Sequence, residues 1–268
     1  MGAVRRAEIG DVVPAGVSNR GGPGPFVIVC DHASNHIPAR FGTLGLRRED
    51  LNRHIAWDPG ALGVATALAR TLDAPLVESR ISRLIIDCNR PLDAPDLIAP
   101  ISETTAIPGN QGLGEAAREE RIALSHRPFH AAIEQLIQDR LAAGLGCRMI
   151  AVHSFTPVYR GISRPWHVGV IHDQDVRLAG PLLTALRARP DLTVGDNQPY
   201  SPADRVYYTL ERHARSRGLP CVMIEIRNDQ IVEPASQEEW GSLLGKLLGD
   251  IAIPQSDEAS GPQAVGLQ

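Results

Sequence analysis

The stretch PFVIVCDHASNHIP, residues 25–38, decides the fold class that this sequence predicts. Residues 26–30 form an apolar run of the right length for one buried strand of a parallel sheet. The run ends in a polar cluster that begins with Asp31 and His32. Open α/β sheets bind their ligands at the carboxyl ends of their strands. The stretch therefore predicts an α/β fold with a functional site after this strand.

Two later stretches repeat the same pattern of an apolar run that ends in a functional group. MIAVHSF, residues 149–155, ends near His153, and CVMIEIRND, residues 221–229, carries Glu225. Helical patterns lie between the predicted strands, so we expect a three-layer αβα sandwich with a mostly parallel mixed sheet. We also expect the three strand ends to converge on one site.

The domain organisation follows from composition along the 268 residues. No linker or internal repeat divides residues 25–250, which we expect to form a single α/β domain. Residues 1–24 are glycine-rich and lack periodicity, so they are expected to be a poorly ordered lead-in. Residues 251–268 are poor in apolar side chains and are expected to form a disordered tail.

Charge and hydropathy exclude several classes of partner. The net charge of −4 offers no basic field for nucleic acid. No apolar run reaches the roughly 18 residues that a membrane span needs, and residues 1–14 do not resemble a secretory signal. The four widely spaced cysteines lie in apolar runs, which indicates buried free thiols and a cytoplasmic location. The oligomeric state is left open.

Periodicity predicts further elements between these landmarks. Asp58 followed by Pro59 is typical of a helix N-cap and first helical position. Pro128 is expected to kink or split the longest helical pattern. Before the strand predicted at residues 149–155, we also expect a helix over 47–74, strands over 75–78 and 84–86, and a helix over 115–144.

The candidate metal ligands are His32 and His153. A lone histidine after a strand is more often a hydrogen-bonded structural residue, but two histidines that each end an inner strand favour a metal site. The third ligand is open between Asn35, three residues after His32, and Asp58. Neutral asparagine is a poor zinc ligand, whereas Asp58 has a competing role as a helix cap.

Glu225 and Arg227 are two residues apart on a predicted strand, so both side chains should share one face. Two charges on an apolar strand form either a buried ion pair or part of a functional site. In SRLIIDCNRP, Asn89 and Arg90 could hold a substrate carboxylate, because guanidinium binds carboxylate bidentately. The alternative is that Asp87 and Arg90 fix the long loop that follows.

With these residues in place, the chain resembles the N-formylglutamate amidohydrolase (N-formylglutamate deformylase) family over roughly residues 25–245. The resemblance implies an αβα sandwich similar to that of zinc carboxypeptidases. It also implies metal-dependent hydrolysis of N-formylglutamate to formate and glutamate, a step of histidine breakdown. The stretches that carry it are CDHASNHIP, HIAWDPGA, SRLIIDCNRP, IPGNQGL, RPFHAAI, HSFTP, RPWHVGV, DNQPYS and IEIRND.

The looser likeness to zinc carboxypeptidases implies roles for individual residues. It makes His32 and His153 the zinc ligands and Glu225 the general base. It makes Asn89 and Arg90 the carboxylate clamp. The carboxypeptidase ligand expected three residues after the first histidine is a glutamate, and this chain departs from that pattern at Asn35.

Two further arginines and three functions complete the expectations. Arg83 is expected to contact the substrate or the oxyanion, and Arg227 to bind substrate.

The first function is a Zn²⁺-dependent hydrolase of N-formylglutamate. The second is a deacylase for another N-acyl amino acid or small peptide. The third is a carboxylate-binding protein on a metal-free hydrolase scaffold.

Overall fold

The computed structural model describes residues 13–253 and is built on one seven-stranded sheet. The order across the sheet is β1-β3-β2-β6-β11-β9-β10, and four of the six strand pairings are parallel. The expected mostly parallel mixed sheet is confirmed. Two small hairpins, β4–β5 and β7–β8, lie outside it. The strands are β1 (Ala15–Ser18), β2 (Phe26–Cys30), β3 (Leu76–Ser79), β4 (Ile101–Ser102), β5 (Thr105–Ala106), β6 (Arg148–Phe155), β7 (Val158–Tyr159), β8 (Ile162–Ser163), β9 (Val168–Ile171), β10 (Val194–Asp196) and β11 (Cys221–Arg227).

Helices cover both faces of the sheet, which confirms the αβα layers. One face packs against α1, α4 and α6, and the other packs against α3 and α5. The helices are α1 (Ala61–Thr71), α2 (Glu115–Arg121), α3 (Arg127–Ala142), α4 (Ala179–Arg187), α5 (Tyr208–His213) and α6 (Pro234–Gly249). Among residues 13–253, no helix combines the length and the apolarity that crossing a bilayer requires. The four cysteines are buried and form no disulfide within residues 13–253, as expected.

Alternation along the inner strands sets which helical layer each side chain faces. In β2, Phe26 and Ile28 pack toward α1, whereas Val27 and Val29 pack toward α3. Successive strand residues point to opposite faces, so polar residues at the strand ends inherit the same alternation. His153 on β6 and Glu225 on β11 continue the series that faces α3 and α5.

The prediction of a poorly ordered lead-in over residues 1–24 is wrong for β1, which pairs antiparallel with β3 at the sheet edge. Main-chain hydrogen bonds hold this short strand, so its side chains give little periodic signal. The predicted tail also begins too early. Ile251 and Ile253 are each 9% exposed and pack on the α1 and α6 core, and Arg148 donates to both of their carbonyls. Residues 1–12 and 254–268 lie outside the described part.

The helix predicted over 47–74 is wrong in its first half, because α1 begins only at Ala61. The N-cap is Gly60, with φ +81° and no room for a side chain against the Ile231 carbonyl. Glycine adopts this left-handed conformation at the least cost, so the chain turns here and frees Asp58 from a capping role. Asp58 makes no capping hydrogen bond and instead faces the cluster described below.

Two other local predictions have different outcomes. Residues 84–86 form a buried turn and not a strand, within a third apolar cluster that supports the loops above the sheet. An apolar run of three residues does not distinguish a buried turn from a strand. The helical pattern over 115–144 is split as expected. A π-helical stretch, residues 122–126, separates α2 from α3, and Pro128 lies in the first turn of α3.

Candidate active site

The carboxyl ends of three neighbouring strands meet at one site. His153 on β6 and Glu225 on β11 are register partners on adjacent parallel strands. His32 follows β2, the other neighbour of β6, and its ring centroid lies 5.1 Å from that of His153. All three residues line one cavity of about 360 Å³. The expected convergence of the strand ends is therefore confirmed.

Asp58 completes a compact cluster with the two histidines. Its Oδ2 lies 3.3 Å from Nδ1 of His32 and 2.8 Å from Nδ1 of His153. One ligand atom from each of the three buried residues lies within 4.8 Å of the others, so the set could hold a metal ion. The main chain holds Asp58 in place, because its N–H donates to the carbonyl of His32 at 3.0 Å.

The structure separates the two candidates for the third ligand. Asn35 turns away from the histidines, and its amide donates to the Leu51 carbonyl at 3.0 Å and to the Asn52 side chain at 3.3 Å. It belongs neither to the cluster nor to the cavity lining. Asn35 as a metal ligand is therefore corrected in favour of Asp58. The spacing to Asn35 misled because the segment after β2 is irregular rather than helical.

Two outer carboxylates lie next to the far nitrogens of the histidine rings, one in a hydrogen bond and one at ion-pair distance. Nε2 of His32 lies 2.7 Å from Asp87 Oδ1, and Nε2 of His153 lies 3.2 Å from Asp31 Oδ2. A neutral ring can keep its proton on Nε2, where the N–H points at the outer carboxylate. The Nδ1 lone pairs are then free for a metal, as in the carboxylate–histidine–metal arrangement. Thr209 of α5 holds the other oxygen of Asp31 by a short hydrogen bond.

The sequence interpretation did not assign Asp31 and treated Asp87 only as part of a loop. Asp31 directly follows an apolar strand and precedes His32, which was a usable signal, because a carboxylate at a buried strand end needs a partner. No local pattern indicates the contact between Asp87 and His32, because the two residues are 55 positions apart. The turn at residues 84–86, which the sequence predicts to be a strand, brings them together.

The charges around the cluster favour a cation. Four buried carboxylates lie at the site, and Arg83 is the guanidinium that contacts two of them, at 3.4 Å from Asp58 and 2.6 Å from Asp87. Burial of the carboxylates is costly unless positive charge compensates it. The set of four is Asp31, Asp58, Asp87 and Glu225.

The pKa values of the cluster report the same imbalance. Burial disfavours the charged form of His153, but Asp31 and Asp58 overcome this effect and raise its pKa well above the usual value. Burial and Arg83 oppose the charging of His32, yet Asp87 and Asp58 raise its pKa. Burial disfavours the charged form of Asp58 as well, and the two imidazoles nevertheless lower its pKa. A metal ion would replace these protons as the positive charge.

Glu225, like Asp31 Oδ2 and His153 Nε2, contributes a buried polar atom that makes no hydrogen bond in the described part of the chain. Its carboxylate is buried, and Oε2 has no hydrogen-bond partner in the described part of the chain. Burial and, to a smaller extent, Asp58 raise its pKa to about 7, although His153 acts in the opposite direction. A buried carboxylate with such a pKa beside a candidate metal cluster has the properties of a general base.

The cavity wall contains some of the predicted substrate contacts and lacks one of them. Arg83 and Arg90 both line the cavity, and Arg90 is paired with Asp96 at 2.8 Å. Arg227 is not part of the lining. It donates to the carbonyls of Arg164 and Pro165 and pairs with Asp229 at 2.8 Å, so its assignment as a substrate ligand is corrected. Arg227 and Glu225 share one face of β11, but Arg227 is two residues further along the strand and lies beyond the cavity.

Asn89 lines the cavity, but both the nitrogen and the oxygen of its side-chain amide are hydrogen-bonded to the main chain. The side-chain nitrogen donates to the Val206 carbonyl, and Oδ1 accepts from the Thr209 N–H at 3.0 Å. Asn89 thus ties the loop that carries Arg90 to the segment before α5. Within the expected clamp, Arg90 is the residue whose side chain is better placed for an anionic group.

An αβα sheet that carries a His/Asp cluster and an unpaired buried carboxylate at its carboxyl edge is a hydrolase-type architecture. The family model for N-formylglutamate amidohydrolase matches residues 24–232. The chain belongs to this amidohydrolase family. No curated protein matches it. The sequence resemblance is therefore confirmed at the level of family and enzyme class.

Two solved structures are similar over most of the chain. The gene product Atu2144 from Agrobacterium tumefaciens is 44% identical with a TM-score of 0.86, over 89% of this chain and 94% of that one. The N-formylglutamate amidohydrolase from Ralstonia eutropha JMP134 has a TM-score of 0.63 at 21% identity, over 89% of this chain and 95% of that one. The second likeness supports the fold alone.

Proposed function

We propose that this protein is a metal-dependent amidohydrolase that cleaves N-formyl-L-glutamate to formate and L-glutamate. The observation that carries the proposal is the His32–Asp58–His153 cluster beside the unpaired carboxylate of Glu225 in one cavity. The family supports amide hydrolysis, and the name of its model supports the substrate. We further propose that the reaction serves histidine breakdown in the cytoplasm.

The donor set fits a divalent metal, and Zn²⁺ is the ion we propose. Three protein ligands, two of them imidazoles, with space for water are typical of catalytic zinc sites. His32, Asp58 and His153 would hold the ion, and Asp87 and Asp31 would orient the two rings. When bound, such an ion supplies Lewis acidity toward the formyl oxygen and makes a water molecule more acidic.

The protein's own groups move the protons. Glu225 takes a proton from the attacking water, which then adds to the formyl carbon. Glu225 afterwards delivers this proton to the nitrogen of the leaving amine, so that the C–N bond breaks and formate is released. Its buried position and its pKa of about 7 suit both steps, because a base that must also act as an acid works best near neutral pKa.

Two arginines orient the substrate in this proposal. Arg83 stands beside Asp58 at the cluster and is placed to stabilise the negative charge that develops on the formyl oxygen. Arg90, on the loop that Asn89 anchors, binds the α-carboxylate and aligns the formyl group with the water. The substrate is thus held at both ends of its amide bond.

A second candidate function is deacylation of a different N-acyl amino acid. The cavity of about 360 Å³ supports it, because this volume leaves room for an acyl group larger than formyl. The metal-free carboxylate-binding alternative loses its main support, because the residue that favoured it, Asn35, does not belong to the cluster.

The test combines metal analysis with a substrate panel. We expect protein purified without chelators to contain zinc and to release formate from N-formylglutamate. Chelation should abolish the activity, and zinc should restore it. A higher kcat/KM for acetylglutamate or succinylglutamate than for formylglutamate would favour the second candidate. Protein that binds no metal and hydrolyses none of the three compounds would contradict the proposal.

A further inference from the structure

We propose that Arg160 selects substrates that carry a second carboxylate. Arg160 lies at the turn of the β7–β8 hairpin and lines the cavity that contains the His32–Asp58–His153 cluster. The inference rests on the function proposed above and assigns the binding of the substrate's distal carboxylate to one residue.

The first argument is the distribution of charge in the cavity wall. Arg83 is paired with Asp58 and Asp87, and Arg90 is paired with Asp96. Within residues 13–253, no carboxylate pairs with the guanidinium of Arg160, although it lines the same cavity. Among the three arginines that line the cavity, Arg160 is therefore the one whose charge no carboxylate of the described chain offsets.

The second argument is a neighbouring arginine that also lacks a counter-charge. Arg164 is 8% exposed and lies over the ring of Tyr159 at 4.5 Å and over that of Tyr200 at 4.8 Å. It donates to the Tyr200 hydroxyl at 3.0 Å, and no carboxylate in the described chain pairs with it. Arg160 lies over the same Tyr159 ring at 5.4 Å.

Two guanidinium groups around one tyrosine ring repel each other unless an anion lies nearby. The cation–π contacts offset part of this cost, but a buried positive charge without a counter-charge remains unfavourable. Tyr159 and Tyr200 both line the cavity, so an anionic group bound there would be attracted by both arginines. The wall around Tyr159 is thus suited to a carboxylate, whereas the metal cluster is rich in carboxylates and suits a cation.

The third argument is the backbone of the hairpin. Arg160 and Gly161 have φ values of +50° and +78°, as in the tight turns where asparagine or glycine is preferred. The Arg160 N–H donates to Glu103 Oε1 at 3.2 Å, and Glu103 also lines the cavity. The turn is therefore fixed at the cavity rim.

The two cationic positions match the two carboxylates of an N-acyl glutamate. Arg90 binds the α-carboxylate in the proposed function, and Arg160 is left for the side-chain carboxylate. An N-acyl amino acid with a neutral side chain would leave Arg160 without a partner. The substrate class is accordingly N-acyl derivatives of acidic amino acids.

The test compares N-formylglutamate with N-formylglutamine, which replaces only the distal carboxylate by an amide. We expect Arg160→Gln to lower kcat/KM for N-formylglutamate by about tenfold, the usual order for a charge-assisted contact at a partly exposed site. Activity on N-formylglutamine should change little. Arg160→Lys should retain part of the preference. The effect should appear mainly in KM, because the contact is remote from the bond that breaks.

Arg205→Gln is the matched control. Arg205 is also exposed, has φ +58° and lies outside the cavity lining, so the variant removes the same charge from a similar backbone conformation. It should leave both substrates unaffected. Equal losses on both substrates in Arg160→Gln, or an unchanged preference, would overturn the inference. Wild-type protein that hydrolyses neither compound would instead contradict the proposed function.

Discussion

Residues 13–253 contain two buried histidine clusters, which differ in the carboxylates that face their rings. His32 and His153 face carboxylates on both ring nitrogens. In the second cluster, His126 and His130 donate from Nε2 to the carbonyls of Arg90 and Cys88, each at 2.9 Å. His213 completes this second cluster.

The same residue type therefore carries opposite pKa shifts in the two places. In the second cluster, burial lowers the pKa of His126 and of His130, and it lowers that of His213 to about 4. Nδ1 of His130 lies 2.9 Å from Nε2 of His213, so His213 must donate while His130 accepts. These rings are neutral and structural. The comparison teaches that burial alone lowers the pKa of a histidine, whereas burial between carboxylates raises it.

The largest effect on activity should come from Glu225, the candidate general base that lies beside the first cluster. Glu225→Gln keeps the size of the side chain but removes its ability to accept a proton. We expect kcat to fall by about 10²- to 10⁴-fold with unchanged metal content, because proton transfer is lost and the ligands are retained. Formate release and elemental analysis measure the two quantities. Undiminished kcat would remove Glu225 from the mechanism.

One histidine from each cluster provides the next comparison. We expect His153→Ala to lose the bound metal, since it removes one of three ligands. His130→Gln should keep it, because glutamine can still donate to a carbonyl. Metal content per folded chain separates the two variants, and circular dichroism shows whether each has folded. Metal retained by His153→Ala would make the first cluster structural as well.

The outer carboxylates should have a smaller effect. Asp87→Asn weakens the hydrogen bond that orients His32 and removes one negative charge from the site. We expect zinc affinity to fall by about 10- to 100-fold, as for other partners of metal-binding histidines. A competition titration with a chromophoric chelator measures the affinity. Asn35→Ala is the control and should leave the affinity unchanged, because Asn35 lies outside the cluster.

The smallest effect should be a pH dependence of stability from the second cluster. His213 is neutral in the fold with a pKa of about 4, against an unfolded value near 6.5, so unfolding takes up a proton between these values. Its contribution is complete above about pH 6.5 and is lost as the pH falls toward 4, at about 1.4 kcal/mol per pH unit.

Urea unfolding of the wild type and of His213→Gln at pH 7 and pH 5 measures this contribution. The wild type should lose more free energy of unfolding between the two pH values than the variant loses. Other titrating groups are common to both proteins and cancel in the difference. Equal losses would show that His213 is not held neutral by the fold.

Prediction from sequence succeeded where the signal is periodic. The apolar runs of β2, β6 and β11, each ending in a polar group, predicted that His32, His153 and Glu225 lie at strand ends that meet. It failed in irregular segments. Residues 84–86 looked like a strand and form a turn, and that turn brings Asp87 to His32. Buried turns and short strands share the same apolar composition, so only packing distinguishes them.

The sequence by itself determined the sheet, the helical layers, the family and three of the four residues at the centre of the site, because these depend on local periodicity and short motifs. Only the tertiary structure decided that Asp58 and not Asn35 lies between the imidazoles, and that Asp31 and Asp87 hold the rings from behind. Asp58 contacts His32, which is 26 residues away in the chain, and His153, which is 95 residues away. These contacts depend on how the left-handed turn at Gly60 packs against Ile231, between β11 and α6, and no pattern of neighbouring residues encodes such a distant contact.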